Sequence, residues 1–342
     1  MGSRTGLVAR WIAPLIGAGI ALGVLFWLYR DLNFELFFAT LATAEVGWLV
    51  LLAATILGEQ LVRGWKWRQI LYDLKPVSSW RLFTSILAGY GVGILVPLGI
   101  SPLVRSWLVA RLEGLRMASV LVTAAIERFI DGVVFALLAG FVALATQFPA
   151  IEGNPRLGIA AAALLGLAIF SGLLWVLFGA RGALAHPDAA VSRLIDWLAA
   201  KGGHRLADLR SAIAGGIVWP RARARQAGIA GASVVMKIIA ATHFLWAGLA
   251  VGIVLPAFDY LFLLVFTGVT LVLARFIRVP GGFFIGAGFA LHTLGVPDAP
   301  ALAMIMFSHF LTIALMVGIG LLVLWRSGIS ISEIARDARL GQ

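Results

Sequence analysis

Apolar segments long enough to cross a membrane dominate this chain and restrict its fold more than any other feature. A helix needs about 20 apolar residues to cross the hydrocarbon core of a bilayer. Apolar residues make up 61% of the 342-residue sequence and charged residues 13%, with a mean hydropathy of +0.99. Soluble domains carry about 25% charged residues. The sequence therefore predicts an all-α polytopic membrane protein of about eight transmembrane helices.

Several classes of function lack support in the sequence. Without cysteine, the chain has no disulfide, thiolate metal site or Cys nucleophile. It also has no H-E-x-x-H, G-x-S-x-G or Walker motif and no large soluble catalytic domain. The isolated histidines are best explained as core residues. We therefore expect a protein that is not an enzyme and that holds no cofactor and no metal.

The net charge of +11 is explained by membrane topology rather than by nucleic acid. The predicted spans are Trp11–Tyr29, Val46–Val62, Met117–Gln147, Gly158–Ala180, Ala227–Leu255, Tyr260–Ala274 and Ala301–Trp325. All 27 Lys and Arg residues then lie on the cytoplasmic side except two in outer loops and two within spans: Arg30, Arg156, Arg128 and Lys237. Both termini are predicted to be cytoplasmic. The whole chain forms one membrane domain of two halves, 1–180 and 226–342, joined by an amphipathic basic connector, 181–225.

A basic and aromatic stretch follows the second span, from Arg63 to Arg81. Trp and Tyr favour the headgroup region, and Lys and Arg favour the anionic inner leaflet. The composition predicts an interfacial elbow helix, which serves either as an ordinary anchor or as a vestibule that gathers lipid headgroups. Just before it, Glu59 and Arg63 have the spacing of an ion pair within one helix.

Two apolar segments are interrupted by Gly and Pro, one in each half. Leu82–Ala110 contains three alternate glycines and then Pro97, Gly99 and Pro102, and it predicts a re-entrant helical hairpin. Val279–Gly288 contains Pro280, Gly281 and Gly282. Paired interrupted segments of this kind indicate a transporter site near the bilayer midplane. The alternative is that the glycines only allow close helix packing.

Charged residues inside apolar segments are the sharpest local signal. Each costs roughly 2.5–3.5 kcal/mol at the bilayer centre, so function commonly explains their presence. We expect Glu127 and Asp131, on one helical face, to hold Arg128, and Arg128 and Arg105 to bind phosphate. A purely structural polar cluster is the alternative, and Lys237 needs a partner or a polar cavity. The predicted substrate-binding residues are Arg63, Pro97, Gly99, Arg105, Glu127, Arg128, Asp131, Lys237, Arg275, Arg278, Pro280, Gly281 and Gly282.

The order of these motifs resembles the flippase-like transmembrane family founded on the membrane domains of the lysylphosphatidylglycerol synthases. The similarity is carried by Arg63–Trp67, the stretch from Pro97 to Arg105, Ala124–Asp131 and Pro280–Gly282, and covers roughly residues 45–325. The resemblance implies a multi-pass protein of the bacterial inner membrane that moves or binds lipids or lipid-linked intermediates without a cofactor.

Two departures from the family pattern bear on energy coupling. Ser101-Pro102 stands where the family usually has Gly-Glu, and Ala287 and Gly288 stand where it usually has a Glu. The loss of both carboxylates removes the basis for a proton-coupled or cation-coupled step and makes the cavity more cationic. We expect no aminoacyl-transferase domain after this region, and therefore no synthase activity.

The function predicted from the sequence is lipid transport of the flippase or scramblase type. An anionic phospholipid or polyprenyl-linked lipid would bind with its headgroup in a central cationic cavity, and the other predicted partner is a second copy of the chain in a homodimer. An intramembrane enzyme acting on a lipid-linked phosphate or sugar, with Glu127 or Asp131 as acid or base, is one alternative. A regulatory scaffold that recruits partners through the connector 181–225 is the other.

Overall fold

The computed structural model has an all-α fold, as the sequence predicts. It describes residues 4–95, 100–145, 155–185, 214–277, 279–328 and 333, and no strand occurs within them. The helices are α1 (Arg4–Tyr29), α2 (Phe34–Ala42), α3 (Val46–Leu71), α4 (Ser79–Leu95), α5 (Ser101–Glu113), α6 (Met117–Ala145), α7 (Pro155–Ala185), α8 (Arg223–Ala250), α9 (Ala257–Phe276), α10 (Gly282–Thr293) and α11 (Asp298–Arg326).

Six helices in the described part of the chain are long and apolar enough to cross a membrane: α3, α6, α7, α8, α9 and α11. The apolar part of α1 and the whole of α10 are shorter. This confirms a multi-pass membrane protein. Most of the predicted amphipathic connector, residues 186–213, lies outside the described residues.

The chain forms two compact units. The first unit comprises Met1–Ile56, Phe135–Leu164 and Ile238–Leu311, and the second comprises Leu57–Val134, Leu165–Lys237 and Thr312–Gln342. Each unit therefore takes segments from both predicted halves of the sequence.

In the second unit, α4 and α5 form an antiparallel hairpin. Gly93 lies opposite Ser101 and Gly89 lies opposite Arg105, where an added methyl group would come within 2.7 and 2.9 Å of the facing Cβ atoms. Helix α4 runs unbroken through its three alternate glycines, so they permit close packing rather than end the helix. Helix α4 ends at Leu95, and Pro97 and Gly99 lie outside the described residues.

The opposite face of α4 packs against the part of α11 that belongs to the second unit. A methyl group at Gly91 would lie 3.0 Å from the Met316 carbonyl oxygen, and one at Gly320 would lie 2.5 Å from that of Leu87. Alternate glycines point to opposite sides of a helix, since each residue advances about 100°. The glycine pattern thus gives α4 two close neighbours, α5 and α11.

In the first unit, α9 and α10 form a second antiparallel hairpin. Gly281 adopts a left-handed conformation with φ of 72° just before α10. A methyl group at Gly282 would lie 2.5 Å from Ala274 Cβ, and one at Gly286 would lie 2.9 Å from Thr270 Cβ. At 12 residues, α10 is about 18 Å long, which is shorter than the hydrocarbon core.

The predicted interfacial elbow from Arg63 to Arg81 is wrong. Residues through Leu71 continue the membrane-spanning helix α3, and α4 begins at Ser79. Lys66 and Trp67 are fully buried rather than placed at a lipid surface. Trp67 joins the apolar core of the second unit with residues of α3, α4, α5 and α6: Leu71, Leu82, Ile86, Val109, Val120 and Ala124.

Candidate functional site

A buried cluster of charged side chains lies in the second unit, built from α3, α5 and α6. Helix α6 carries Glu127 and Asp131 four residues apart, on one face. Helix α3 carries Glu59, Arg63 and Lys66 at spacings of four and three residues, which also puts them on one face. The predicted pair within α3 is confirmed, since Arg63 Nη2 lies 3.0 Å from Glu59 Oε1.

Arg63 and Lys66 bind both carboxylates of α6. Arg63 Nη1 lies 3.2 Å from Glu127 Oε1 and 3.2 Å from Asp131 Oδ2. Lys66 Nζ donates a hydrogen bond to Asp131 Oδ1 and lies 3.5 Å from Glu127 Oε1. Lys66 and Glu127 are both 0% exposed, so water does not screen these contacts.

Arg105 reaches the same carboxylate from α5. Its Nη2 lies 2.7 Å from Glu127 Oε2, and its guanidinium carbon lies 4.7 Å from the centre of the Trp67 ring. Only 1% of Arg105 is exposed, yet its Nε and Nη1 atoms have no hydrogen-bond partner in the part of the chain that the structure describes. Gly89 makes room for this side chain on the facing helix, because a methyl group there would lie 2.9 Å from Arg105 Cβ.

The prediction that Glu127 and Asp131 hold Arg128 is wrong. Arg128 Nη2 donates a 2.6 Å hydrogen bond to the Tyr90 hydroxyl, and its guanidinium carbon lies 5.7 Å from the Tyr90 ring centre. Among the described residues, no carboxylate lies within 4.0 Å of Arg128. The two acids are instead occupied by the basic groups of α3 and α5, which surround them from the other side.

The balance of charge in this cluster is positive. Lys237 of α8 interacts electrostatically with Asp131, which adds a fifth basic group to Arg63, Lys66, Arg105 and Arg128. Three carboxylates face them: Glu59, Glu127 and Asp131. With ordinary protonation, the described residues of the cluster therefore carry two more positive than negative charges. Such an arrangement suits an anionic ligand, since buried charge needs a counter-charge.

The other predicted site residues do not belong to this cluster. Arg275, Pro280, Gly281 and Gly282 are part of the first unit. Pro97, Gly99 and Arg278 lie outside the described residues. Within the described residues, no three His, Asp or Glu side chains are grouped as metal ligands would be.

Sequence reasoning missed Lys66 and Tyr90 as members of the cluster. The spacing of Glu59, Arg63 and Lys66 on one helical face was a usable signal for Lys66. The aromatic neighbours Trp65 and Trp67 pointed instead to a membrane interface. Nothing local pointed to Tyr90, because its partner Arg128 is 38 residues away in the chain.

Comparison with known proteins shows the family of the chain. No curated protein and no solved structure matches it. The family model described as the lysylphosphatidylglycerol synthase TM region matches residues 14–320, which is most of the chain and includes the whole charged cluster. This confirms the resemblance drawn from the motifs and relates the chain to membrane lipid metabolism or transport. The chain therefore belongs to the family of the lysylphosphatidylglycerol synthase TM region.

Proposed function

We propose that this protein moves lipids with an anionic, phosphate-bearing headgroup between the leaflets of the bacterial inner membrane, as a flippase or scramblase. The observation that carries the proposal is the incomplete hydrogen bonding of the Arg105 side chain. This side chain is buried and bound to one carboxylate oxygen, yet two of its nitrogen atoms have no hydrogen-bond partner among the described residues. The proposed substrate class is anionic phospholipid or polyprenyl-linked lipid.

Energetics support an anion as the missing partner of Arg105. A buried donor without an acceptor costs about 1–3 kcal/mol, and more when the group is charged. Phosphate oxygens match the planar fork of a guanidinium and form charge-assisted hydrogen bonds with it. A headgroup that reached Arg105 Nε and Nη1 would remove this cost while it was bound.

Arg128 and Tyr90 supply a route to that position. Both side chains are half-buried, whereas Arg105 is almost completely covered. Since no carboxylate of the described residues pairs with Arg128, its charge is available to an incoming anion. The headgroup would first pair with Arg128 and then with Arg105, while the acyl chains stay in the lipid phase.

In this proposal the two hairpins are re-entrant elements. Both chain termini lie on the cytoplasmic side of the membrane. Helix α10 is too short to cross the bilayer, and α4–α5 turns back on itself. Non-helical backbone at membrane depth is tolerated only where protein or a wet cavity covers it. Residues 279–281, which precede α10, are therefore a proposed position where the membrane interior is locally polar.

We favour transport over catalysis as the role of this cluster. An intramembrane enzyme would need an acid or base near the headgroup, and Glu127 and Asp131 are the candidates. Both carboxylates bind basic side chains in the cluster, with contacts of 2.7 to 3.2 Å from arginine. Their role in the proposal is to hold Arg63, Lys66 and Arg105 in place.

The test is lipid translocation in proteoliposomes that contain Arg128→Ala or Arg105→Ala. We expect Arg128→Ala to lower the rate for a phosphate-bearing fluorescent lipid about tenfold or more, since a charge-assisted contact is worth about 1.5–3 kcal/mol. Arg105→Ala leaves the buried Glu127 with fewer partners and can impair folding. Arg128→Ala breaks no ion pair of the described residues and is the more informative variant.

Arg111→Gln is the matched control. Arg111 lies on α5 with Arg105 but is exposed and stacks on Trp107 at 5.1 Å. We expect this variant to keep the wild-type rate. Full activity of folded Arg128→Ala would refute the proposed site, and equal losses in Arg111→Gln would mean that the effect is one of net charge.

A further inference from the structure

A separate open cavity of about 810 Å³ lies in the second unit, away from the buried cluster residues. It is lined by the end of α3, the end of α7 and the segment that leads into α8. Its lining residues are Asp73, Arg181, Val218, Trp219, Pro220, Arg221, Ala222 and Gln226. Its volume falls within the range of about 300–1,000 Å³ that is typical of small-molecule sites.

The walls of this cavity are fixed by specific contacts. Arg225 stacks on Tyr72 and donates a 3.2 Å hydrogen bond to Gln69 Oε1, which ties the start of α8 to the end of α3. Trp219 packs edge-to-face on Phe178 of α7, with ring centres 5.9 Å apart. Gln226 Nε2 donates to the Pro220 carbonyl oxygen at 2.8 Å. A preformed cavity costs less ordering entropy on binding than one that must assemble.

Three charged side chains of the cavity have no ion pair within the described part of the chain: Asp73, Arg181 and Arg221. All three are exposed. The positive end of the α8 dipole adds to the two arginines, since the first turn of α8 contains no acidic residue. The cavity thus presents a strong site for an anion and one carboxylate for a cation.

We propose that this cavity binds the headgroup of a zwitterionic phospholipid, one that carries both a phosphate and an amine. The phosphate pairs with Arg181 and Arg221, and the ammonium group pairs with Asp73. Trp219 covers the glycerol region, as Trp side chains do at membrane interfaces. The predicted topology puts this cavity at the cytoplasmic surface, where such headgroups are abundant.

This site is independent of the transport proposal. Its residues do not overlap with the buried cluster, so binding here can be measured whether or not Arg105 and Arg128 act in translocation. The two proposals also differ in ligand chemistry, because the buried cluster offers no carboxylate free of basic partners among its described residues.

The experiment measures binding of short-chain lipids to the purified full-length chain in detergent. The probes are dihexanoyl phosphatidylethanolamine, dihexanoyl phosphatidylglycerol and inorganic phosphate. We expect the amine-bearing lipid to bind most tightly. Asp73→Asn should weaken the binding of dihexanoyl phosphatidylethanolamine about threefold to fivefold, as for an exposed ion pair. It should leave the affinity for dihexanoyl phosphatidylglycerol unchanged. The double variant that combines Arg181→Gln and Arg221→Gln should weaken the binding of both lipids about tenfold.

A control isolates the cavity. Arg223→Gln changes an exposed arginine near the cavity that does not line it, and this variant should bind the lipids as the wild type does. Wild-type affinities in the double arginine variant would overturn the proposal. Inorganic phosphate binding as tightly as the lipid would also overturn it, because the cavity would then be a site for a soluble anion.

Discussion

The two helical hairpins of this protein share a packing geometry but differ in polarity. In α4–α5, Gly89 and Gly93 bring two helices together, and the close approach positions Arg105 beside Glu127. In α9–α10, Gly282 and Gly286 do the same against Ala274 and Thr270, and no charged side chain of the described residues is buried there. Glycine packing therefore explains the hairpins, while charge distinguishes the hairpin that contributes to the candidate site.

This comparison also bears on the second departure from the family pattern, at Ala287 and Gly288. In α10, Ala287 is fully buried, and a methyl group at Gly288 would lie 2.5 Å from Leu28 Cδ2 and 2.6 Å from the Tyr29 hydroxyl oxygen. A glutamate at either position would have little space. The apolar hairpin is thus built for packing, and we expect its variants to change stability without a direct effect on ligand binding.

The largest expected effect comes from Glu127→Gln, which changes the α6 carboxylate that pairs with Arg105 of the α4–α5 hairpin. This change leaves Arg63, Lys66 and Arg105 without full neutralisation, and breaking a buried ion pair costs about 3–5 kcal/mol. Thermal unfolding in detergent measures the loss. The control in the first unit is Thr267→Val, which removes a buried hydroxyl that has no hydrogen-bond partner within the described residues and should leave stability nearly unchanged. Wild-type stability of Glu127→Gln would mean that the cluster does not hold the fold.

The next effect comes from adding one methyl group to each hairpin. Gly89→Ala and Gly286→Ala should each cost about 1–3 kcal/mol of stability through overpacking. Only Gly89→Ala should also slow lipid translocation, because it displaces Arg105. Gly172→Ala, with nothing within 4 Å of the new methyl group, is the neutral control. Equal translocation rates in the two hairpin variants would remove the functional distinction between them.

A smaller effect is expected from removing one tyrosine hydroxyl in each hairpin. Tyr90→Phe removes the hydrogen bond to Arg128, and Tyr260→Phe removes the one that the Leu255 N–H donates at 3.0 Å. Each bond contributes about 1 kcal/mol. Translocation assays should show a slower rate for Tyr90→Phe alone, since its partner is a proposed ligand-binding group. A similar slowing by Tyr260→Phe would contradict this reading.

The smallest effect concerns the two ion pairs that Glu113, the last residue of α5, makes with Arg81 of α4 and with Lys75. We call these ion pairs the Glu113 clip. Glu113 lies 2.6 Å from Arg81 Nη1 and 3.1 Å from Lys75 Nζ. Partial burial raises the pKa of Glu113, but the hydrogen bonds from Arg81 and Lys75 outweigh it and the net pKa lies below the usual value.

A lowered pKa means that the clip stabilises the fold above the ordinary pKa of a glutamate, and that this contribution is lost as the pH falls through the lowered value. Because Arg81 and Lys75 are 59% and 42% exposed, solvent screening keeps the effect below about 1 kcal/mol. Unfolding midpoints of Glu113→Gln and wild type should differ slightly at neutral pH and converge in acid. A difference that persists in acid would contradict the role of the clip.

Sequence patterns predicted features that depend on spacing within one segment. They identified the membrane class, the shared face of Glu127 and Asp131, and the Glu59–Arg63 pair. They failed where tertiary contacts decide the outcome. Lys66 is buried because α6 supplies carboxylates opposite it, although its aromatic neighbours are typical of an interface. Arg128 binds Tyr90 from a distant helix.

The hairpins show the same limit. The glycines of α4 predicted a break, but their alternate spacing serves two neighbouring helices, which only the packed structure reveals. Of the two prolines that were expected to split this segment, Pro97 lies outside the described residues and Pro102 lies in the first turn of α5. The paired Gly/Pro segments were predicted to share one site; they belong to different compact units, and the shared site stays a prediction.

The most direct test of the central claim is substrate discrimination by Arg128→Gln in proteoliposomes. The assay compares the translocation of a fluorescent phospholipid with that of a fluorescent neutral glycolipid of matched chain length. If Arg128 binds the headgroup phosphate, the variant moves the phospholipid about tenfold more slowly and the neutral lipid at the wild-type rate. The claim would be contradicted if the ratio of the variant rate to the wild-type rate were the same for both lipids, whether the two rates were unchanged or equally lowered.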